Sequence, residues 1–323
     1  PYAMIGMSAV IFIPDDTAKT GYPQPLMLQS VMGAPLLAWL ANALFDSGVG
    51  RFFLVCHDRY VEAARACLPA EAEVMTTMDS DPADLLHVFL STAEDAEHTI
   101  TVVTGPAVYL PQLAPQAAGR FPRVYGVSRE ELMQALDEHF SFARFLLDNG
   151  SPMNEEQAMY SVASPAELPE IAGLLQRNRL LALARTGMEI YDASSCYVEP
   201  SVRVAPGARL LPGTMLRGKT VIGEEAVIGP WSVIDDSVIG ARAVVNASQV
   251  RDSRVGQDAV VGPYASVRGG CELGRSVRAG SFVELKNARL GENTQVPHLA
   301  YLGDTEAGAN CNFGCGVATA NFD

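Results

Sequence analysis

The chain has 323 residues, a formal net charge of −14, 48% hydrophobic residues and 19% charged residues. This length and composition predict two folded domains and argue against global disorder. An acidic surface repels phosphate backbones, so the charge argues against nucleic-acid binding. No stretch approaches the roughly 20 apolar residues of a membrane span, and no secretory signal is visible at the start. We therefore expect a cytoplasmic protein without a membrane segment.

The N-terminal half alternates between predicted strands and predicted helices. Apolar runs predict strands, and amphipathic segments between them predict helices. The predicted strands are 9–13, 51–56, 73–76 and 99–103, and the predicted helices are 35–45, 60–68 and 128–147. This alternation predicts a mainly parallel, doubly wound α/β domain over residues 1–165.

A further helix is predicted over 170–185, within a connecting segment assigned to 166–190. Ser164 and Glu167 have the spacing of a capping box, although Pro169 could instead open the helix. Gly187 suits the position just after the helix end. The segment is predicted to join the two domains.

From Val198 onward an apolar residue recurs at every sixth position, often followed by glycine. The series runs Val198, Val204, Leu210, Leu216, Ile222, Ile228, Ile234, then Ile239, Val255, Val261, Val267, Leu273, Ala279, Leu285, Leu290, Val296 and Leu302. A period of six is typical of a hexapeptide β-helix, with three units in each coil of about 18 residues. The chain is therefore predicted to be α/β followed by an all-β, parallel β-helix over 191–323. Steps of five residues occur, and the stretch from Val245 to Val255 is the largest predicted break.

Five polar residues interrupt the repeat: Arg268, Lys286, His298, Tyr301 and Asn312. The first two are one 18-residue coil apart, so they are predicted to stack on one face. Paired cations suit a phosphate, a histidine suits proton removal near neutral pH, and the other two suit hydroxyl groups. The spacings to His298 and Asn312 leave open whether those two share the face.

Cys311 and Cys315 are close in sequence, but a zinc site would need more cysteine or histidine at ligand spacing. The expected alternative is that both are small buried side chains in coil positions. No metal site is predicted in the repeat.

Four strings in the repeat resemble one bacterial enzyme family. They are 262–268 (GPYASVR), 281–287 (SFVELKN), 298–304 (HLAYLGD) and 312–316 (NFGCG). The family is the bifunctional N-acetylglucosamine-1-phosphate uridyltransferase/glucosamine-1-phosphate acetyltransferase. The resemblance covers about 171–323, and it implies a left-handed β-helix, a homotrimer and a place in the route to UDP-N-acetylglucosamine.

The resemblance also implies acetyl transfer from acetyl-CoA to the amine of glucosamine-1-phosphate. It implies that His298 is the general base and that Arg268 and Lys286 hold the sugar phosphate. Tyr301 and Asn312 would then hold the sugar, while Asn321 would orient the amine. The chain has Asn321-Phe322-Asp323 where the family has Asn-Tyr-Asp, and we expect the coils that bind acetyl-CoA to lie beyond Asp323.

The N-terminal half resembles the family's nucleotidyltransferase domain only in outline. Where the family has a glycine-rich loop with arginine, this chain has residues 13–19, IPDDTAK, and Pro23-Gln24 replaces Pro-Lys. Gly105-Pro106 stands where the family has its magnesium-binding aspartate. Lys19 could be a displaced phosphate ligand. The resemblance thus implies a degenerate domain whose uridyltransferase activity is lost, with magnesium needed only if that domain is active.

Two alternatives stay open at this point. Both activities could be intact, or the protein could be a non-catalytic trimeric homologue that binds a sugar phosphate. A different acyl acceptor, such as another amino sugar, is a further possibility.

Overall fold

The computed structural model describes residues 7–77, 82–93, 97–113, 122–137 and 141–319. The chain forms two compact units, Pro1–Asn178 and Arg179–Asp323. None of the helices in the described ranges combines the length and the apolar character needed to cross a lipid bilayer.

The first unit is built on a six-stranded sheet with the order β5-β4-β1-β6-β8-β9. Strands β5, β4, β1 and β6 are parallel, whereas β8 is antiparallel to β6 and β9 is antiparallel to β8. The strands of this unit are β1 Ser8–Phe12, β2 Ser30–Val31, β3 Ala34–Pro35, β4 Arg51–Val55, β5 Glu73–Thr77, β6 Thr99–Val103, β7 Ala107–Tyr109, β8 Val124–Ser128, β9 Ser151–Met153 and β10 Met159–Ser161. The four predicted strands are thus β1, β4, β5 and β6.

Helices cover both faces of this sheet. Ala9 and Ile11 of β1 pack in one apolar cluster with the second helix, while Val10 packs in another with the fourth helix. The helices are α1 Thr17–Thr20, α2 Leu36–Asp46, α3 Val61–Arg65, α4 Ala83–Ser91, α5 Arg129–Asp137, α6 Phe142–Asn149 and α7 Leu168–Arg185. Because consecutive β1 side chains enter opposite cores, the predicted doubly wound α/β class is confirmed.

The helix predictions differ from the structure in two places. The single helix predicted over 128–147 is two helices, α5 and α6, and Ser141 precedes α6 with an extended backbone that cannot continue a helix. Helix α4 was missed by the sequence analysis. The connecting helix begins at Leu168, after a 3-10 turn over Pro165–Glu167, and Gly187 follows it with φ +96°.

The second unit is a parallel β-helix, as the six-residue period predicted. Its strands are β11 Glu189–Ile190, β12 Tyr197–Val198, β13 Arg203–Val204, β14 Arg209–Leu210, β15 Met215–Arg217, β16 Val221–Ile222, β17 Val227–Ile228, β18 Val233–Asp235, β19 Val238–Ile239, β20 Val244–Val245, β21 Gln249–Arg251, β22 Arg254–Val255, β23 Val260–Val261, β24 Ser266–Arg268, β25 Glu272–Leu273, β26 Arg278–Lys286, β27 Arg289–Leu290, β28 Gln295–Gly303 and β29 Glu306–Ala307. A left-handed coil, which the resemblance implies, is consistent with this run of parallel strands.

These strands stack into three faces. Face 1 contains β12, β15, β18, β21, β24 and the C-terminal parts of β26 and β28. Face 2 contains β13, β16, β19, β22, β25, β27 and β29. Face 3 contains β11, β14, β17, β20, β23 and the N-terminal parts of β26 and β28. The apolar residues of the period point inward and form one continuous core.

The stretch from Val245 to Val255 is not a break in the repeat. Val250 is fully buried and lies in register with Ile234 on one side and Val267 on the other. The stretch therefore consists of two consecutive five-residue steps. The prediction was wrong because a search at intervals of six passes over an apolar residue at the fifth position.

The corners of the coil are held by small side chains. The Ser232 hydroxyl accepts a hydrogen bond from the Ser248 N–H at 3.3 Å, and the Ser248 hydroxyl accepts one from the Ala265 N–H at 3.0 Å. At another corner a Cβ on Gly240 would lie 2.6 Å from the backbone nitrogen of Gln257, so only glycine fits there. Close approach between successive coils thus explains the glycine that often follows the apolar residue.

We predict that Val250→Ala lowers the free energy of unfolding of the β-helix by about 2 kcal/mol, because two buried methyl groups are replaced by a cavity. The matched control is Val260→Ala, since the Val260 side chain is 37% exposed and its loss leaves no cavity. Urea unfolding followed by circular dichroism would measure both. Equal effects of the two substitutions would contradict the placement of Val250 in the core.

Candidate functional site

Arg268 and Lys286 are direct neighbours on face 1. The strands β24 and β26 pair in parallel, and the register sets Arg268 beside Lys286. Both therefore project from the same face on successive coils, as their 18-residue spacing predicted. Parallel strands lie about 4.8 Å apart, which places two cations within reach of one phosphate group.

A carboxylate that sequence reasoning missed lies in the same place. Glu284 precedes Lys286 by two residues in β26, so strand alternation turns both side chains outward. The Arg268 guanidinium donates a hydrogen bond from Nη2 to Glu284 Oε1 at 2.6 Å. Tyr301 lies beside Glu284 on the next coil. Side chains along β26 alternate between inward and outward positions, and this alternation in the sequence could have predicted that Glu284 points outward.

His298 and Asn312 lie on face 3, not on the face that carries Arg268. His298 is in register with Ser281, and Asn312 forms a bridge with Gln295. The chain turns between these faces at Leu299, whose φ is +46°. Within one chain the five candidate residues thus divide into two groups on either side of a corner. Asn321 lies outside the described residues.

The corner between faces 1 and 3 carries a ridge of exposed apolar side chains, which we call the corner ridge: Tyr264, Phe282 and Leu299. They are 63%, 59% and 55% exposed. The rings of Tyr264 and Phe282 stack with their centroids 5.3 Å apart. Sequence reasoning missed this ridge, although Tyr264 and Phe282 have the same 18-residue spacing as Arg268 and Lys286.

Cys315 was expected to be buried, and this expectation was wrong. The bridges Gln295 to Asn312 and Tyr301 to Ala318 have the same offset, which places Cys315 next to His298 on the following coil. It is exposed because this register position points outward, as His298 does. Cys311 is half-buried.

The first unit has its own candidate site where the strand order reverses, between β1 and β6. In open α/β sheets, ligands bind beyond the carboxyl ends of the strands at this point. Beyond the carboxyl ends of β1 and its other neighbour β4, Asp15 forms an ion pair with Arg59 and accepts a 2.7 Å hydrogen bond from the Thr17 hydroxyl. The hydrogen bond from Thr17, followed by that from Arg59, lowers the pKa of Asp15, so this carboxylate stays charged. Asp16 Oδ1 accepts a 2.9 Å hydrogen bond from the backbone N–H of Leu26.

The second half of this crevice does not suit magnesium. At the end of β6, a Cβ on Gly105 would lie 2.5 Å from Arg123 Nη1, so an arginine side chain occupies the space beside the Gly105-Pro106 pair. Pro106 supplies no ligand, and Gln24 and Lys19 are exposed side chains. Across the described ranges, no three His, Cys, Asp or Glu side chains are grouped so that they could hold a metal ion. The residues present therefore do not fit the family's magnesium.

Comparison with known proteins confirms the family resemblance over part of the chain. The chain is 40% identical over 174 residues to "Bifunctional protein GlmU" of Clostridium perfringens, a match that covers 54% of this chain and 38% of that protein. It is 39% identical over 157 residues to the protein of the same description from Brevibacillus brevis, covering 49% of this chain and 34% of the relative. The chain thus spans less than two fifths of these relatives' length.

No protein-family model matches the chain. Among solved structures, the inositol-1-phosphate CTP transferase from T. maritima is 12% identical, covers 55% of this chain and 98% of its own, and has a TM-score of 0.40. A likeness this remote adds nothing to the fold described above.

We predict that Cys315 is the fastest cysteine to react with iodoacetamide at pH 8, because it is exposed on face 3. Cys67 is buried, and this burial raises the pKa of its thiol to about 12, so it stays protonated and shielded in the folded protein. Peptide mass spectrometry would measure both rates, and Cys315→Ser should remove the fast phase. If Cys67 of the folded protein, before urea is added, reacts with iodoacetamide as fast as Cys315, the result contradicts this arrangement.

Proposed function

We propose that the β-helix of this protein transfers the acetyl group of acetyl-CoA to the amine of glucosamine-1-phosphate. The observation that carries the proposal is the register of Arg268 and Lys286 on neighbouring coils, with Tyr301 on the next coil of the same face. The similarity to bifunctional GlmU proteins supports the same reaction. The residues in the crevice of the first unit do not fit magnesium, and this supports the loss of uridylyl transfer.

The two cations hold the sugar phosphate. Arg268 forms an ion pair with Glu284, and both side chains are close to half exposed. Such an exposed pair contributes little stability, so a phosphate with two negative charges can compete for the guanidinium at small cost. Tyr301 and Asn312 supply hydrogen-bonding groups for the sugar hydroxyls.

His298 acts as the general base. Acetyl-CoA supplies the acetyl group as a thioester, and the sugar nitrogen attacks its carbonyl carbon. A C–N bond forms and the C–S bond breaks, while the proton from nitrogen passes to the imidazole and then to the departing thiolate. Asn321 orients the amine in this proposal.

The active assembly is a homotrimer. The phosphate-binding pair and the histidine lie on opposite sides of the corner, so a second copy beside the corner brings face 1 of one chain to face 3 of another. The corner ridge supports this arrangement, because exposed apolar side chains that adjoin each other mark interaction surfaces.

Two substitutions on separate faces test the proposal. Lys286→Ala should weaken glucosamine-1-phosphate binding about tenfold, which corresponds to about 1.4 kcal/mol. His298→Ala should bind within twofold of the parent but form no acetylated sugar. Isothermal titration calorimetry measures binding, and mass spectrometry of the sugar measures turnover without interference from the exposed Cys315 thiol.

Lys219→Ala is the matched control, because Lys219 is an exposed lysine of the same β-helix away from these residues. It should leave binding and turnover unchanged. Unchanged turnover in His298→Ala would remove the assignment of the base. Binding of the sugar phosphate without any acetylation, by a protein that includes the coils expected to bind acetyl-CoA, would favour the non-catalytic alternative.

A second assay tests the crevice of the first unit. With UTP, magnesium and N-acetylglucosamine-1-phosphate we expect no UDP-N-acetylglucosamine, because Asp15 is paired with Arg59 and Pro106 replaces the metal ligand. Chromatography of the nucleotides detects the product, with a curated relative as the positive control. Magnesium-dependent turnover would establish the intact bifunctional enzyme instead.

A further inference from the structure

An arginine lies at the carboxyl end of β6, on one side of the crevice of the first unit. Arg123 directly precedes β8, and β8 pairs with β6 in antiparallel register, with Val103 opposite Val124. The Thr104 N–H and the Thr104 hydroxyl donate hydrogen bonds to the Arg123 carbonyl at 2.8 and 3.1 Å. These contacts fix Arg123 beside the residues that follow β6, where the strand order reverses.

The Arg123 side chain lies along the backbone of Gly105. A Cβ on Gly105 would lie 2.5 Å from Arg123 Nη1, 3.3 Å from Cδ and 3.5 Å from Cζ. Gly105 is buried, whereas Arg123 is half-buried and keeps part of its surface open to solvent. The absence of a side chain at Gly105 therefore makes room for the guanidinium.

This guanidinium differs from other arginines of the first unit in having no partner. Arg51 forms an ion pair with Glu73, and Arg59 forms one with Asp15. The Arg123 guanidinium makes no ion pair or hydrogen bond with any residue that the structure describes. A charged group that loses part of its hydration without gaining a partner costs free energy, so this arrangement indicates an anion that binds from outside the protein.

The carboxylates on the β1 side of the crevice do not take this role. Asp15 is paired with Arg59, so its charge is balanced within the protein. Asp16 Oδ1 accepts the 2.9 Å hydrogen bond from the Leu26 N–H. Both carboxylates thus have partners on their own side of the crevice.

The position of Arg123 also decides which charge suits the crevice. A guanidinium repels a divalent cation, but it attracts a phosphate group and can donate two parallel hydrogen bonds to it. Ligands of open α/β sheets bind beyond the carboxyl ends of the strands where the strand order reverses. The protein therefore places a fixed positive charge beside Gly105-Pro106, the pair that stands where the resemblance implies a magnesium-binding aspartate.

We propose that the crevice of the first unit binds a phosphate ester without a divalent cation, with the Arg123 guanidinium as the ligand of the phosphate group. Nucleotides and sugar phosphates share this chemistry. The inference does not depend on the acetyl transfer proposed for the β-helix. It gives the first unit a binding role that needs no uridylyl transfer.

Calorimetric titration of the whole chain in EDTA tests this inference. The probes are UTP and N-acetylglucosamine-1-phosphate, which distinguish a nucleotide from a sugar phosphate. At least one probe should bind, and magnesium in place of EDTA should change its dissociation constant by less than threefold. Arg123→Met removes the charge but keeps most of the length of the side chain, and it should weaken that probe at least tenfold.

Gly105→Ala tests the geometry with the charge of Arg123 intact. The added Cβ would take the place of Arg123 Nη1, the end of a flexible side chain that can move aside. Gly105 does not have a positive φ, so alanine fits its backbone. The substitution should therefore leave the protein folded, as circular dichroism would show, and weaken the same probe at least threefold.

Arg65→Met is the matched control. Arg65 is an exposed arginine of α3, the helix that connects β4 to β5, and neither strand is adjacent to β6 in the sheet. This variant should bind the probe within twofold of the parent. Equal losses in Arg65→Met and Arg123→Met would show a general effect of net charge and would overturn the inference.

Three further results overturn it. They are failure of both probes to bind in EDTA, binding that requires magnesium, and binding by Arg123→Met that is as tight as in the parent. Binding of the sugar phosphate that depends on Lys286 but not on Arg123 belongs to the β-helix and counts as a failure to bind the crevice. None of these results affects the proposed acetyl transfer, which is tested by the substitutions of Lys286 and His298.

Discussion

Parallel backbone hydrogen bonds between successive coils decide which side chains become neighbours in the β-helix. The Asn287 N–H donates to the carbonyl of Arg268 at 3.1 Å, next to the register pair of Arg268 and Lys286. Coil length varies around this constraint, since Met215 and Val233 are 18 residues apart whereas Val233 and Gln249 are 16 apart. Deletions are absorbed at the corners, so the inward and outward positions stay aligned. The pairing of Arg268 with Lys286 in the candidate site depends on this alignment.

The sequence predicted the features that follow from a strict period and missed those that follow from corners. The 18-residue spacing correctly placed Arg268 beside Lys286, because both lie within straight segments of full-length coils. The spacings of 12 and 14 residues around His298 cross corners, and spacing alone cannot say on which side of a corner a residue lies. Cys315 and Glu284 were missed for a related reason, since their exposure depends on the outward alternation within each face rather than on the period of six.

In the first unit, the strands of the sheet and the residues at the edge of the sheet are under different constraints. The apolar strands β1, β4 and β6 were predictable because burial on both faces requires continuous runs of apolar residues. The residues beyond their carboxyl ends bear no such packing constraint. Two contacts at this edge are the ion pair of Asp15 with Arg59 and the packing of the Arg123 side chain beside Gly105. No periodicity in the sequence indicates either contact. The fold of this unit therefore does not determine the chemistry at the edge of the sheet.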